Sequence, residues 1–152
     1  ARRIITRSGK QLLTARFYDD ELIGSKQLVQ RCIVAGTNAI GEPGAVLFPR
    51  KLAEKVGQFD GDRPYVIDVD YWVRLLQYGA AAAQHDALST FRIDQNLSVR
   101  IGWKRCTQYL SFCDDNAKRW QVSKLVLAWG RVRTVLNELL RRGVHIVFRV
   151  IG

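Results

Sequence analysis

The chain has 152 residues, 47% of them hydrophobic, with 24 Lys and Arg against 14 Asp and Glu for a formal charge of +10. That length and apolar content suit one domain with its own core and exclude a disordered or fibrous polypeptide. Two histidines in separate segments and three scattered cysteines (Cys32, Cys106, Cys113) leave almost no material for a histidine metal site, a zinc cluster or a Ser/His/Asp triad.

The elements follow in chain order. Residues 3–7 alternate as a strand, and Ser8-Gly9 marks the turn after it. Leu28, Val29 and Ile33 recur at helix spacing within residues 25–34, with Gly36 as the stop. Ala45-Val46-Leu47-Phe48 is a short apolar run of the buried-strand kind. A helix over 50–56 leads into a Gly57-Gln58-Phe59-Asp60 turn, and the pattern of residues 68–78 predicts a further helix ended by Gly79. The stretches 80–83 and 87–93 bring the chain back as strand, with a turn at Asp94-Gln95-Asn96 and a joint at Gly102.

Beyond that joint the charge changes. Residues 1–98 carry 13 basic against 11 acidic side chains, a net of +2, while 99–152 carry 11 against 3, a net of +8. Val122, Leu125, Val126, Trp129, Val132, Leu136, Leu139 and Leu140 recur at spacings of three and four, which predicts an amphipathic helix closing at Gly143. Such a basic helix either covers a core with a solvated back or rests on an anionic membrane surface. The run Val144-His145-Ile146-Val147-Phe148 that follows reads as a strand or as the start of a hydrophobic segment. No stretch reaches the roughly 18 apolar residues of a membrane span, and no charged-then-apolar signal opens the chain. The expected location is therefore cytoplasmic, peripherally on the inner membrane face if the helix binds there. A start at Ala1 and the absence of Met suggest a piece of a longer polypeptide.

The most informative stretch is Asp68-Val69-Asp70-Tyr71-Trp72-Val73-Arg74-Leu75, two carboxylates opening an apolar helical run. Asp68 suits the N-cap, where its side chain accepts a backbone N–H, and Asp70 adds favourable charge at the positive helix end. A carboxylate so placed is a structural cap or a catalytic base.

Four segments in order carry a family pattern: Asn38-Ala39-Ile40-Gly41-Glu42-Pro43-Gly44-Ala45-Val46-Leu47-Phe48-Pro49-Arg50, Val56-Gly57-Gln58-Phe59-Asp60, the acidic pair with its helix, and Phe91-Arg92-Ile93-Asp94. Together, over roughly residues 36–98, they resemble the second half of a family-2 glycosyltransferase. The resemblance implies an α/β fold, the acceptor-side half of a GT-A nucleotide-sugar transferase over residues 1–98, followed by a basic amphipathic helical tail over 99–152. It implies transfer of a sugar, with inversion, from a nucleotide-sugar donor to the hydroxyl of a glycan or lipid-linked acceptor. Asp68 falls on the catalytic base position, and Asp70, Glu42 and Trp72 on the acceptor side. A positioned base contributes roughly 10²–10⁴-fold in rate, although a helix N-terminus lowers a carboxylate's basicity. A divalent cation, Mg or Mn, is expected in the full enzyme but not in this piece, because Asp94 stands where many relatives have a metal-side His and no Asp-x-Asp half precedes residue 1. The piece alone is therefore expected to be inactive. Two other readings remain open at the sequence level: a silent scaffold fragment that associates with itself, and a basic nucleic-acid-binding module using Trp103, Trp120 and Trp129.

Overall fold

The computed structural model describes residues 1–15, 22–92 and 102–151, and in the last helix side chains as far as Arg142. The turn expected at Asp94-Gln95-Asn96 and the boundary near residue 98 lie outside the described residues. Strand β1 (Arg2–Ile5) pairs antiparallel with β2 (Gln11–Ala15) across a turn where Gly9 takes φ +89°, a backbone state that glycine adopts without steric cost. On its other side β1 pairs in parallel with β5 (Ser89–Arg92), giving the order β2-β1-β5. Parallel neighbours need a long crossover, and this one carries α1 (Ser25–Ala35), α2 (Arg50–Val56) and α3 (Ile67–Leu75). A two-stranded ribbon of β3 (Leu22–Ile23) and β4 (Ala81–Ala82) lies within the same crossover. Two helices follow, α4 (Gly102–Arg119) and α5 (Lys124–Ile151). The described residues thus form a mixed α/β molecule.

The core is shared between both parts of the sequence. Leu28, Val29, Cys32 and Ile33 of α1 and Val69 and Val73 of α3 are buried in one cluster with Tyr109, Phe112, Cys113 and Ala117 of α4. A second cluster forms where Tyr71, Trp72 and Leu75 meet Phe48, Leu52 and Val56. Phe59 stacks on Tyr71 with ring centroids 4.0 Å apart, which fastens the Gly57 turn to α3.

α5 reaches α1 at a close crossing. A Cβ on Gly130 would lie 2.5 Å from the Ile33 carbonyl oxygen, and one on Gly36 would lie 2.6 Å from the Thr134 nitrogen, so glycine at both positions lets the backbones approach. Gly36 also ends α1 at φ +60°. Asn137 Nδ2 donates to the Ala35 carbonyl at 2.8 Å and to the Gly36 carbonyl at 3.2 Å, satisfying acceptors at the end of α1.

Several expectations change. Residues 45–48 are no strand: Pro43 opens a 3-10 turn, Pro43–Ala45, and Pro49 precedes α2, so residues 46–48 form a connection with Leu47 99% exposed. The basic tail holds a further helix, α4, ahead of the expected one; the two are separated at Gln121, which has φ +50°, and α5 starts where Ser123 Oγ accepts the Val126 N–H at 3.3 Å. α5 then runs through Gly143 to Ile151, so 144–151 continues the helix and is not a strand. One glycine costs a helix about 1 kcal/mol, and established turns on either side outweigh it. α3 begins one residue early, at Ile67, with Val66 in the cap position and no side-chain cap. Asp68 is therefore not the N-cap.

Candidate active site

The helix of the acidic pair sorts its polar side chains into different surroundings. Asp70 Oδ2 accepts from Arg74 Nε at 3.0 Å, and its other oxygen lies 3.8 Å from the Arg63 guanidinium, which in turn pairs with Asp115 of α4 at 3.2 Å. Arg74 continues outward, donating to the Gln58 carbonyl at 3.0 Å. Trp72 is buried, and its Nε1–H donates to the Gly41 carbonyl at 2.9 Å. These side chains hold the 38–41 loop and the Gly57 turn onto α3.

Asp68 points elsewhere. It lines a cleft of about 100 Å³ that opens where the end of α1, the start of α3, and helices α4 and α5 converge. Around it stand Thr37 and Asn38 after α1, Arg105 and Tyr109 from α4, and Asn137, Glu138 and Arg141 from α5. Asp68 makes no ion pair with any other described residue. Partial burial raises its pKa above the ordinary aspartate value, and a hydrogen bond from its own backbone N–H offsets only part of that. Of the two effects on Asp68, desolvation is the larger.

The other charges of the cleft are largely committed. Glu138, 3% exposed, accepts from Arg105 Nη2 at 2.7 Å and from Arg142 Nε at 3.2 Å. Burial pushes its pKa up, but the hydrogen bonds from Arg105 and Arg142 prevail and hold it below the usual glutamate value. Burial lowers the pKa of Arg141, and the nearby Arg105 cation adds to this. The only polar side-chain contact of Arg141 among the described residues is Thr37 Oγ1, at 3.4 Å. Tyr109 Oη donates to the Cys32 carbonyl at 3.0 Å, and burial raises its phenol well above the usual range.

Of the four residues expected at the site, then, only Asp68 lines this cleft. Asp70 is held by arginines, Trp72 is packed, and Glu42 pairs with Arg2 at the start of β1. Arg105, Glu138 and Arg141 come from the segment expected to be a tail, and no short motif marks them. For Glu138 and Arg141 the one signal in the sequence is polarity opposite the apolar stripe of α5, and Arg105 of α4 has none. Among the described residues no three His, Cys, Asp or Glu side chains gather to hold a cation. Of the two carboxylates that line the cleft, Glu138 is taken up by Arg105 and Arg142, which leaves Asp68 as the one acidic side chain there without an ion pair among the described residues. The three tryptophans proposed for base stacking do not form a platform: Trp103 lies under Arg142 at 4.7 Å, Trp120 packs on the core and Trp129 is exposed.

A 67-residue segment, 43% of this chain, is 40% identical to the uncharacterized protein MT1568 of Mycobacterium tuberculosis (strain CDC 1551 / Oshkosh). The match spans about a fifth of that relative, 21% of its length. No family model matches the chain, and no solved structure matches it significantly.

Proposed function

We propose that this chain is the acceptor-side half of an inverting glycosyltransferase, with Asp68 as the base. The observation that carries the reading is the contrast within the acidic pair: Asp70 is tied to two arginines, whereas Asp68 faces the cleft without a cationic partner and with its pKa raised. In the reaction, Asp68 takes the proton of an acceptor hydroxyl as that oxygen bonds to the anomeric carbon of a nucleotide sugar. The bond from that carbon to the nucleotide diphosphate breaks on the opposite face, which inverts the centre. A raised carboxylate suits this role, since general bases work best with a pKa brought nearer the operating pH. Arg141, whose guanidinium lines the cleft, offers donors to the other hydroxyls of the acceptor. The donor site and any divalent cation belong to residues outside this chain, and no step here passes through a metal.

The test joins this chain to a nucleotide-binding half and measures transfer from a labelled nucleotide sugar. Asp68→Asn is expected to lower turnover by roughly 10²–10⁴-fold with the product anomer inverted in wild type. Turnover at the wild-type rate in that variant, or retention at the anomeric carbon, contradicts the reading.

A further inference from the structure

The face of α5 that packs inward is not the apolar one. Gly130, Thr134 and Glu138, spaced by four, are the buried positions of α5 among the described residues. Leu125, Trp129, Val132, Leu136 and Leu139, spaced four-three-four-three, lie on the opposite side and are 41–84% exposed. At about 1.5 Å per residue this seam extends roughly 21 Å, a continuous apolar strip with no partner among the described residues.

Its shoulders are basic. At 100° per residue Arg133 flanks one side of the strip and Lys124 the other, and neither has an ion-pair partner among the described residues. Arg131 and Arg142 lie on the Lys124 side, paired to Asp114 and Glu138. Glu138, the one acidic residue of α5, is buried under the helix. We propose that α5 lies lengthwise in the headgroup region of an anionic bilayer, its leucines and Trp129 below the phosphates and Lys124 and Arg133 among them.

The charges select this occupant. In a symmetric pairing with a second copy, Arg133 flanks the seam where it would meet its own counterpart, a like-charge contact that anionic lipid replaces with an opposite one. Among the described residues no helix is long and apolar enough to cross a membrane, so the strip suits lying on the surface. Trp129 has the amphipathic ring that favours that depth. The inference stands on α5 alone and does not depend on sugar transfer.

Flotation of the full chain with vesicles tests it, using phosphatidylcholine alone and phosphatidylcholine with one quarter phosphatidylglycerol. Binding is expected with the anionic vesicles and at least about tenfold weaker with neutral ones. The exposed double variant Trp129→Ser/Leu136→Ser should lose at least about tenfold in partitioning, and Lys124→Glu/Arg133→Glu a similar factor. Circular dichroism and thermal midpoints should match wild type for both. Three results overturn the proposal: no binding to anionic vesicles, binding undiminished in the apolar double variant, or a solution dimer that this variant dissolves in a chain that ignores lipid.

Discussion

Two carboxylates two residues apart on α3 have opposite surroundings, and a third on α5 shows what full commitment looks like. Asp68 is destabilised as an anion by burial, so its ionisation weakens folding as pH rises from the ordinary aspartate value through its raised folded value. Glu138 behaves in reverse. Held below the ordinary value by Arg105 and Arg142, it contributes stability above that value, and the contribution is lost as pH falls through its lower folded pKa. Replacing Glu138 by Ala leaves Arg105 half-buried without its partner, and is expected to cost about 3–5 kcal/mol at neutral pH by urea unfolding. The difference from wild type should shrink in acid as the wild-type carboxyl protonates. A cost under about 1 kcal/mol would show the pair to be solvent-screened, as surface bridges are.

At the scale of elements, the crossing of α5 over α1 decides which face of α5 meets solvent. Gly130→Ala places a methyl against the Ile33 carbonyl, a backbone atom that cannot swing aside. The helix-propensity gain of about 1 kcal/mol is then outweighed by overpacking, and a net loss of roughly 1–2 kcal/mol in thermal or urea unfolding is expected. A stabilised variant would mean that the helices do not approach so closely. This crossing also explains what the sequence could and could not reveal. β1, α1, α2, the run of α3 and the returning β5 are readable because their apolar spacing, Gly36, Gly57 and Gly79 all agree with the local chain. α5 is not, since spacing arguments assign the apolar stripe to the core, whereas here Gly130 and Thr134 permit an approach so close that the small and polar face packs instead. For residues 45–48, apolarity signalled a strand, but a ladder needs a partner and the flanking prolines leave none. Asp68 as a cleft residue was legible. Arg105, Glu138 and Arg141 were not, because they reach the cleft only through the packing of helices distant in sequence.

For the whole molecule, residues 102–142 are structural partners of what precedes them rather than a trailing appendage. Phe112 and Cys113 lie fully buried beside Ile33 and Val73, and the cleft has walls from both parts of the sequence. Unfolding should therefore be one transition, with far-ultraviolet circular dichroism and tryptophan emission coincident in urea. Two separated transitions would mark the basic helices as an independent unit. The same packing sets the cleft and the exposed strip on opposite sides of α5, about one helix diameter, 10–12 Å, apart. A bilayer under the strip would thus hold the cleft close to a lipid-linked acceptor. The reading of the cleft is tested most directly by carrying Asp68→Asn and Asp70→Asn through both sugar transfer and thermal unfolding. Asp68→Asn is expected to lower turnover by roughly 10²–10⁴-fold while leaving stability at neutral pH equal to or above wild type, and Asp70→Asn to lose about 1–3 kcal/mol of stability as Arg63 and Arg74 forfeit their anion. Full turnover in Asp68→Asn, with the loss appearing in Asp70→Asn instead, would contradict it.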